Sequence, residues 1–132
     1  MTDTTTIEIP MTAHDRRRVR RMIDAPDGTR FPIELPTGTV LRPGQLLHQD
    51  GPRAYVVGVA PETVIVARPR DIAEAARIGH LIGNLHRDVE IEGGSVIALA
   101  DAALADRLRR AGVPFVEEQR GFHGRPPGEH AH

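Results

Sequence analysis

Apolar and polar positions alternate with a period of two through most of the first half of the chain, which is the pattern of half-buried strands. Thr5-Thr6-Ile7-Glu8-Ile9 predicts a first strand, ended by Pro10. Arg16-Arg17-Arg18-Val19-Arg20-Arg21-Met22-Ile23 predicts a second strand, exposed on its arginine side. Asp24-Ala25-Pro26-Asp27-Gly28 is a turn, because Asp-Gly accepts the backbone conformations a tight hairpin needs. Phe31-Pro32-Ile33-Glu34-Leu35 returns as a short strand. Leu35-Pro36-Thr37-Gly38 and Arg42-Pro43-Gly44 are two further turns. Leu46-Leu47, Ala54–Val59 and Thr63–Ala67 supply more β-branched runs. Short strands punctuated by Gly and Pro at this spacing predict a small β-sandwich or barrel.

Near Arg68-Pro69-Arg70 the period becomes helical. Asp71 followed by Glu74 forms a capping box, in which the Asp carboxylate accepts from otherwise orphaned N–H groups. Ile72, Ala75, Ala76, Ile78, Leu81, Ile82 and Leu85 then fall at helical spacings over a wide apolar face, and Gly83-Asn84 fits its end, since both residues tolerate the left-handed conformation. Asp88-Val89-Glu90-Ile91, a turn at Glu92-Gly93-Gly94, and Ser95–Leu99 predict a hairpin. Asp101 caps a second helix with Leu104, Leu108 and Ala111 as its stripe, closed by Gly112. Val113–Glu117 predicts a last strand. Counted from Thr63–Ala67, the order is β-α-β-β-α-β, the split βαβ pattern of ferredoxin-like folds. The fold class is therefore α+β: an all-β domain over residues 1–68, a ferredoxin-like domain over 69–120, and a flexible His-containing tail over 121–132, which has nothing to pack.

Composition narrows the chemistry. With 132 residues the chain makes one ordinary domain or two very small ones. Modules of roughly 60 residues lie near the lower limit for a stable core, so oligomerisation would help them. Lys+Arg 17 against Asp+Glu 18 gives a formal charge of -1, which argues neither for nor against nucleic acid. The arginine run has no aromatic interleaving and no nucleic-acid motif beside it, so nucleic acid is not expected as a partner. No apolar run is long enough to span a membrane and none resembles a signal peptide, which makes a cytoplasmic location the default. The chain has no cysteine, so disulfides and thiolate metal sites are excluded. Any metal must be held by imidazole or carboxylate, a donor set suited to divalent nickel, zinc or copper.

Candidate chemistry gathers around Ile78-Gly79-His80-Leu81-Ile82-Gly83-Asn84-Leu85-His86. His80 and His86 would stand roughly 120° apart around a helix axis, so they form no ready chelate. His86 lies past the Gly-Asn break, at the carbonyl end of the helix, where a cation is favoured. One imidazole holds a divalent ion weakly, but a two-fold axis would make it a pair. The tail adds His130 and His132 in an H-x-H arrangement, with His123 before them. Set against this, a lone histidine is commonly a hydrogen-bonded structural residue, and a terminal His-x-His is commonly solvated. His14 and His48 are isolated and are taken as surface residues. His86 with Asp88 has the spacing of an oriented base, yet no nucleophile motif and no phosphate loop accompanies it, so no enzyme is expected. Two functional classes remain: a His-based, shared metal site, or a non-metal interaction module in which the β domain and Arg16–Arg21 bind an acidic partner.

Several motifs resemble the UreE family of urease accessory proteins. Gly83-Asn84-Leu85-His86 is similar to that family's Gly-Asn-Arg-His, with Leu85 in place of Arg. Asp27-Gly28, Leu35-Pro36-Thr37-Gly38 and Leu41-Arg42-Pro43-Gly44 resemble its N-terminal Asp-Gly, Leu-Pro-x-Gly and Leu-Arg-x-Gly-Asp, with Gln45 replacing the last Asp. Asp101 to Arg110 resembles its second helix, and the likeness covers roughly residues 15–118. The resemblance implies a partner-binding β domain and a ferredoxin-like domain that dimerises head to head. It implies nickel(II) as cargo, held by His86 from each subunit with His130 and His132 as auxiliary ligands. Zinc or copper would also bind such a site. It further implies delivery to the urease accessory GTPase, scaffold proteins and apo-urease. Ala100-Asp101-Ala102 stands where some members carry extra histidines, and the tail is short, which points to a carrier and not a store.

Overall fold

A computed structural model describes residues 3–125. The chain divides into two compact units, Met1–Ala60 and Pro61–His132. The division falls ahead of the 68/69 boundary drawn from the change of period, because the strand before that change belongs to the second unit.

In the first unit, β1 (Thr5–Met11), β5 (Arg53–Val59) and β4 (Leu46–Asp50) form a sheet in the order β1-β5-β4, while β2 (Arg20–Asp24) and β3 (Arg30–Glu34) pair as a hairpin. β1 lies parallel to β5, a pairing that needs a long connection, which β2 to β4 supply. Pro10 does not end β1 as its sequence suggested; it pairs with Gly58 inside the strand. β1 is an edge strand, where a missing donor is tolerated. The inward residues of both sheets, among them Ile9, Met11, Ile23, Phe31, Tyr55 and Val57, form one core. The Tyr55 hydroxyl donates to Asp27 Oδ2 at 2.8 Å, which ties that core to the β2–β3 turn.

The arginine run is not one exposed strand. Asp15–Arg17 forms a 3-10 turn. The Thr12 N–H donates to Asp15 Oδ2 at 3.0 Å, and the Asp15 N–H returns a bond to Thr12 Oγ1 at 3.1 Å. These reciprocal bonds wind the backbone out of the strand. Arg16 is buried, and its Nη1 donates to Met11 O at 2.9 Å. The Arg21 Nε donates to Arg18 O. Arg16 and Arg21 thus serve the fold. His48 also departs from its surface reading: β4 shifts register between Leu46 and His48, and the His48 ring is half-buried and stacked on Phe31 at 4.6 Å.

The second unit is the expected split βαβ. β6 (Pro61–Ala67), α1 (Ile72–Asn84), β7 (Glu90–Glu92), β8 (Ser95–Leu99), α2 (Ala102–Arg110) and β9 (Val116–Gly121) give an antiparallel sheet in the order β7-β8-β6-β9. Strand alternation sends Ile65, Ala67 and Ala98 to the face covered by Ile78, Ile82, Leu104 and Leu108 of the helices. Val64, Val66 and Ile97, on the opposite face, are buried as well. Val113, expected to open the last strand, packs in the helix-side core, and the strand begins at Val116. No helix among the described residues is long and apolar enough to cross a membrane.

The chain beyond Gly121 was expected to be loose, yet its first residues are built into this unit. β9 and β7 are opposite edges of the sheet, and the segment after β9 passes from one to the other. Phe122 is 0% exposed. A Cβ at Gly124 would overlap the Phe122 ring, so glycine there admits the close approach. Arg125 N donates to Val89 O at 3.0 Å, and Val89 N donates to Arg125 O at 2.8 Å. His130 and His132 lie outside the described residues.

Candidate metal centre

α1 is anchored firmly at its start. The Asp71 carboxylate accepts from the Glu74 N–H at 2.7 Å. Glu74 in turn accepts from the Arg70 backbone N–H at 3.1 Å and from its guanidinium at 2.5 Å. That guanidinium, through its hydrogen bonds, holds the buried Glu74 carboxyl below its ordinary value.

The far end of α1 is the unusual one. Gly83 and Asn84 remain helical, and Leu85 is the C-cap. The left-handed position falls on His86, with φ 53°, the one non-glycine residue with positive φ in the described chain. The His86 N–H donates to Gly83 O at 3.0 Å and the Arg87 N–H to Ile82 O at 3.3 Å. This two-bond pattern is the Schellman motif, whose left-handed residue is usually glycine. Histidine, like Asn and Asp, enters that region more readily than most side chains, but the conformation still costs about 1–2 kcal/mol. Strain of this kind concentrates where surrounding structure enforces it.

Here the enforcement is visible. Leu85, before the histidine, packs against the helix-side core. Arg87, after it, pairs with Asp101 at 2.5 Å. Asp101 is also the N-cap of α2, accepting from Ala103 N at 2.7 Å. Val89 packs in the same core and bonds to Arg125. Between these anchors the His86 side chain is exposed. Leu85, which replaces the Arg of the resembled motif, therefore serves as an apolar anchor for the turn.

Electrostatics favour a cation at this turn. The last turn of α2 carries Arg107, Arg109 and Arg110, whereas the last turn of α1 carries no basic residue. The carbonyl end of α1 thus has no cation from its own last turn, and Arg87 is directed to Asp101. His80 is exposed one turn earlier, and its Nε2 lies 3.1 Å from Asn84 Nδ2. His80 and His86 are not brought together as a chelate. Among the described residues no three His, Asp or Glu side chains are placed to share a metal ion. His123 is exposed on the segment after β9, and its N–H donates to Glu90 Oε1 at 2.9 Å.

An open apolar groove of about 520 Å³ separates α1 from the β7–β8 hairpin, lined by Ala75, Gly79, Ile82 and Gly83 on one side and Val89 and Ile91 on the other. Gly83 and Val89 flank the His86 turn, and Ile91 is 68% exposed. The sequence reading missed the left-handed histidine and the anchored segment after β9. A signal existed for the second: Phe122 is one of three phenylalanines in the chain, set in an otherwise polar stretch.

Comparison with known proteins gives a consistent result over both units. Residues 1–60 match the family model for the UreE urease accessory protein, N-terminal domain, and residues 62–132 match that for the C-terminal domain. The urease accessory protein UreE of Deinococcus radiodurans is 52% identical over 124 residues, covering 94% of this chain and 80% of its own. The protein of the same name from a Synechococcus strain is 47% identical over 126 residues, covering 96% and 85%. That of Bacillus cereus is 33% identical over 104 residues, covering 79% and 68%.

Proposed function

The chain belongs to the UreE family of urease accessory proteins, and from that premise we propose that it is a homodimeric carrier of nickel(II) for urease assembly. The observation that carries this reading is the exposed His86 imidazole on a strained, well-anchored turn at a helix carbonyl end. Among the described residues, a single chain brings no three His, Asp or Glu side chains together to hold a metal ion. A two-fold axis near His86 would supply the second imidazole, and the apolar groove beside the turn offers surface that a second copy would cover. His130 and His132 would complete the ligand set.

Such a site works by ligand exchange. Neutral imidazoles at an exposed position bind a divalent ion without enclosing it, so a recipient with more or harder donors can strip it. Binding releases protons and weakens as the imidazoles protonate. The recipients would be the urease accessory GTPase, its scaffold proteins and apo-urease, in the cytoplasm. The role is accessory and not catalytic. Zinc or copper would compete at the same nitrogens, copper most strongly.

Nickel titration calorimetry on the intact protein and on His86→Ala, with oligomeric mass measured by light scattering, tests the proposal. About one nickel per dimer, lost in the variant, is the expected outcome. Equal binding by both proteins refutes the role of His86. The competing interaction-module reading loses support from the fold, since Arg16 and Arg21 are engaged within their own unit.

A further inference from the structure

We propose that Asp101 is a positioning residue for the metal at His86: it neutralises Arg87 and so keeps the carbonyl end of α1 free for a divalent cation. The inference rests on the reading of His86 as a nickel ligand.

The chain sets up a conflict at this turn. A helix carbonyl end attracts a nearby cation. Arginine is well suited to the place, because its guanidinium also donates to the last carbonyls. α2 follows that rule, with Arg107, Arg109 and Arg110 in its last turn. The last turn of α1 carries no basic residue, but Arg87 stands two residues past the C-cap Leu85 and directly after His86. An unpaired guanidinium there would take the place the metal is to occupy, and it would repel an ion that arrived.

One carboxylate resolves the conflict. Asp101 divides its two oxygens between two tasks. Oδ1 accepts from the Ala103 N–H at 2.7 Å and from the Leu104 N–H at 3.3 Å, which caps α2. Oδ2 stands 2.5 Å from Arg87 Nη2. The cap needs only the first oxygen, so the second is a separate provision. The two side chains are 48% and 23% exposed, and ion pairs this open to water add little to stability. Leu85 and Val89 already hold the turn to the helix-side core. The pair matters more for the field at the turn. A neutral pair acts there only as a dipole, whereas a lone guanidinium is a full unit of charge beside a divalent ion.

Coulomb's law gives the size. A unit charge about 8 Å from a divalent ion in water weakens its binding by about fivefold when salt is low. At about 1 M salt the screening length is about 3 Å, and the effect disappears. A loss caused by loosened turn geometry would not depend on salt in this way.

The experiment is nickel affinity by chelator competition, at about 0.01 M and about 1 M salt. It compares four full-length proteins: the unaltered chain, Asp101→Asn, Arg87→Gln and the double variant. Asparagine caps a helix as well as aspartate does, so Asp101→Asn removes the charge and spares α2. Arg87→Gln leaves the cap untouched, so it remains informative even if Asp101→Asn unfolds. Asp88 is common to all four proteins, and its charge cancels in the comparison. At low salt, Asp101→Asn is expected to weaken binding by about fivefold and Arg87→Gln to tighten it by about as much. The double variant is expected to bind like the unaltered chain, and all four should converge at high salt. Weaker binding by Arg87→Gln overturns the proposal, as does a double variant no better than Asp101→Asn. Either result would make the pair an anchor for the turn and nothing more. A loss in Asp101→Asn that persists at high salt overturns it too. A His86→Ala protein that binds nickel normally refutes the reading of the site itself, which separates that failure from failure of the role given to Asp101.

Discussion

Replacing His86 by glycine should make the metal-free protein more stable, while replacing it by alanine should not. Both substitutions remove the same exposed imidazole, so their difference isolates the backbone. At φ 53° an alanine Cβ meets the same steric conflict as the histidine, which costs about 1–2 kcal/mol, and glycine has no such conflict. Glycine also loses more freedom on folding, a term of about 0.4–1 kcal/mol in the opposite direction. The balance is about 0.5–1 kcal/mol in favour of glycine. For a unit of this size that raises the unfolding midpoint by about 2–8 °C. Because the imidazole is exposed, His86→Ala should stay within about 0.5 kcal/mol of the unaltered protein. Thermal unfolding with a chelator present, at one protein concentration, removes metal and association as variables. An alanine variant as stable as the glycine variant would refute the argument, for it would mean that the turn imposes no left-handed cost. The expected ordering, together with loss of nickel binding in both variants, would show that the fold itself prefers glycine where the chain keeps histidine.

Three further outcomes follow from the same contacts. Acid stability should be set by Asp15, Asp27 and Glu74, each held below its ordinary value: Asp15 by the Thr12 N–H, Asp27 by the Thr29 N–H, and Glu74 by the Arg70 side chain. These carboxylates take up protons more readily when unfolded, so their contribution is complete above the ordinary values, 3.8 for the aspartates and 4.5 for Glu74, and is lost as pH falls below them, which urea midpoints between pH 6 and pH 3 will reveal. Asp101→Ala removes the cap of α2 and the partner of Arg87, so it should cost about 1 kcal/mol by denaturation and speed amide exchange at Arg87, whereas unchanged exchange would disprove the anchoring of the turn. Arg16→Met should cost about 1–3 kcal/mol, because Met11 O loses its buried donor, while Arg20→Ala should stay within about 0.5 kcal/mol; equal effects would mean that Arg16 is not structural.

Periodicity and capping chemistry carried most of the second unit. The Asp71 and Asp101 caps, the apolar stripes of both helices and the Gly93-Gly94 hairpin turn are local features, and local residues determine them. What stayed hidden depends on partners distant in sequence. Pro10 is acceptable in β1 only because that strand is an edge, a fact of sheet order. Arg16 is buried because Thr12 and Asp15 wind a turn where alternation suggested a strand. Phe122 looked unpartnered because its site is created by a crossing between two strands that are not neighbours.

At the candidate site the two least legible features converge. Gly83-Asn84 was the obvious place for the helix to break, yet the backbone carries helix through both and puts the left-handed turn on His86. A histidine where glycine is easier, held between Leu85 and the Arg87–Asp101 pair, gains nothing for the fold from its exposed ring. The segment after β9 likewise buries Phe122 against Gly124 and bonds Arg125 to Val89, close in sequence to that ring. Neither feature is needed to close the ferredoxin-like sheet, which is complete at β9. Both fasten the chain around the His86 turn, as the proposed presentation of its imidazole requires.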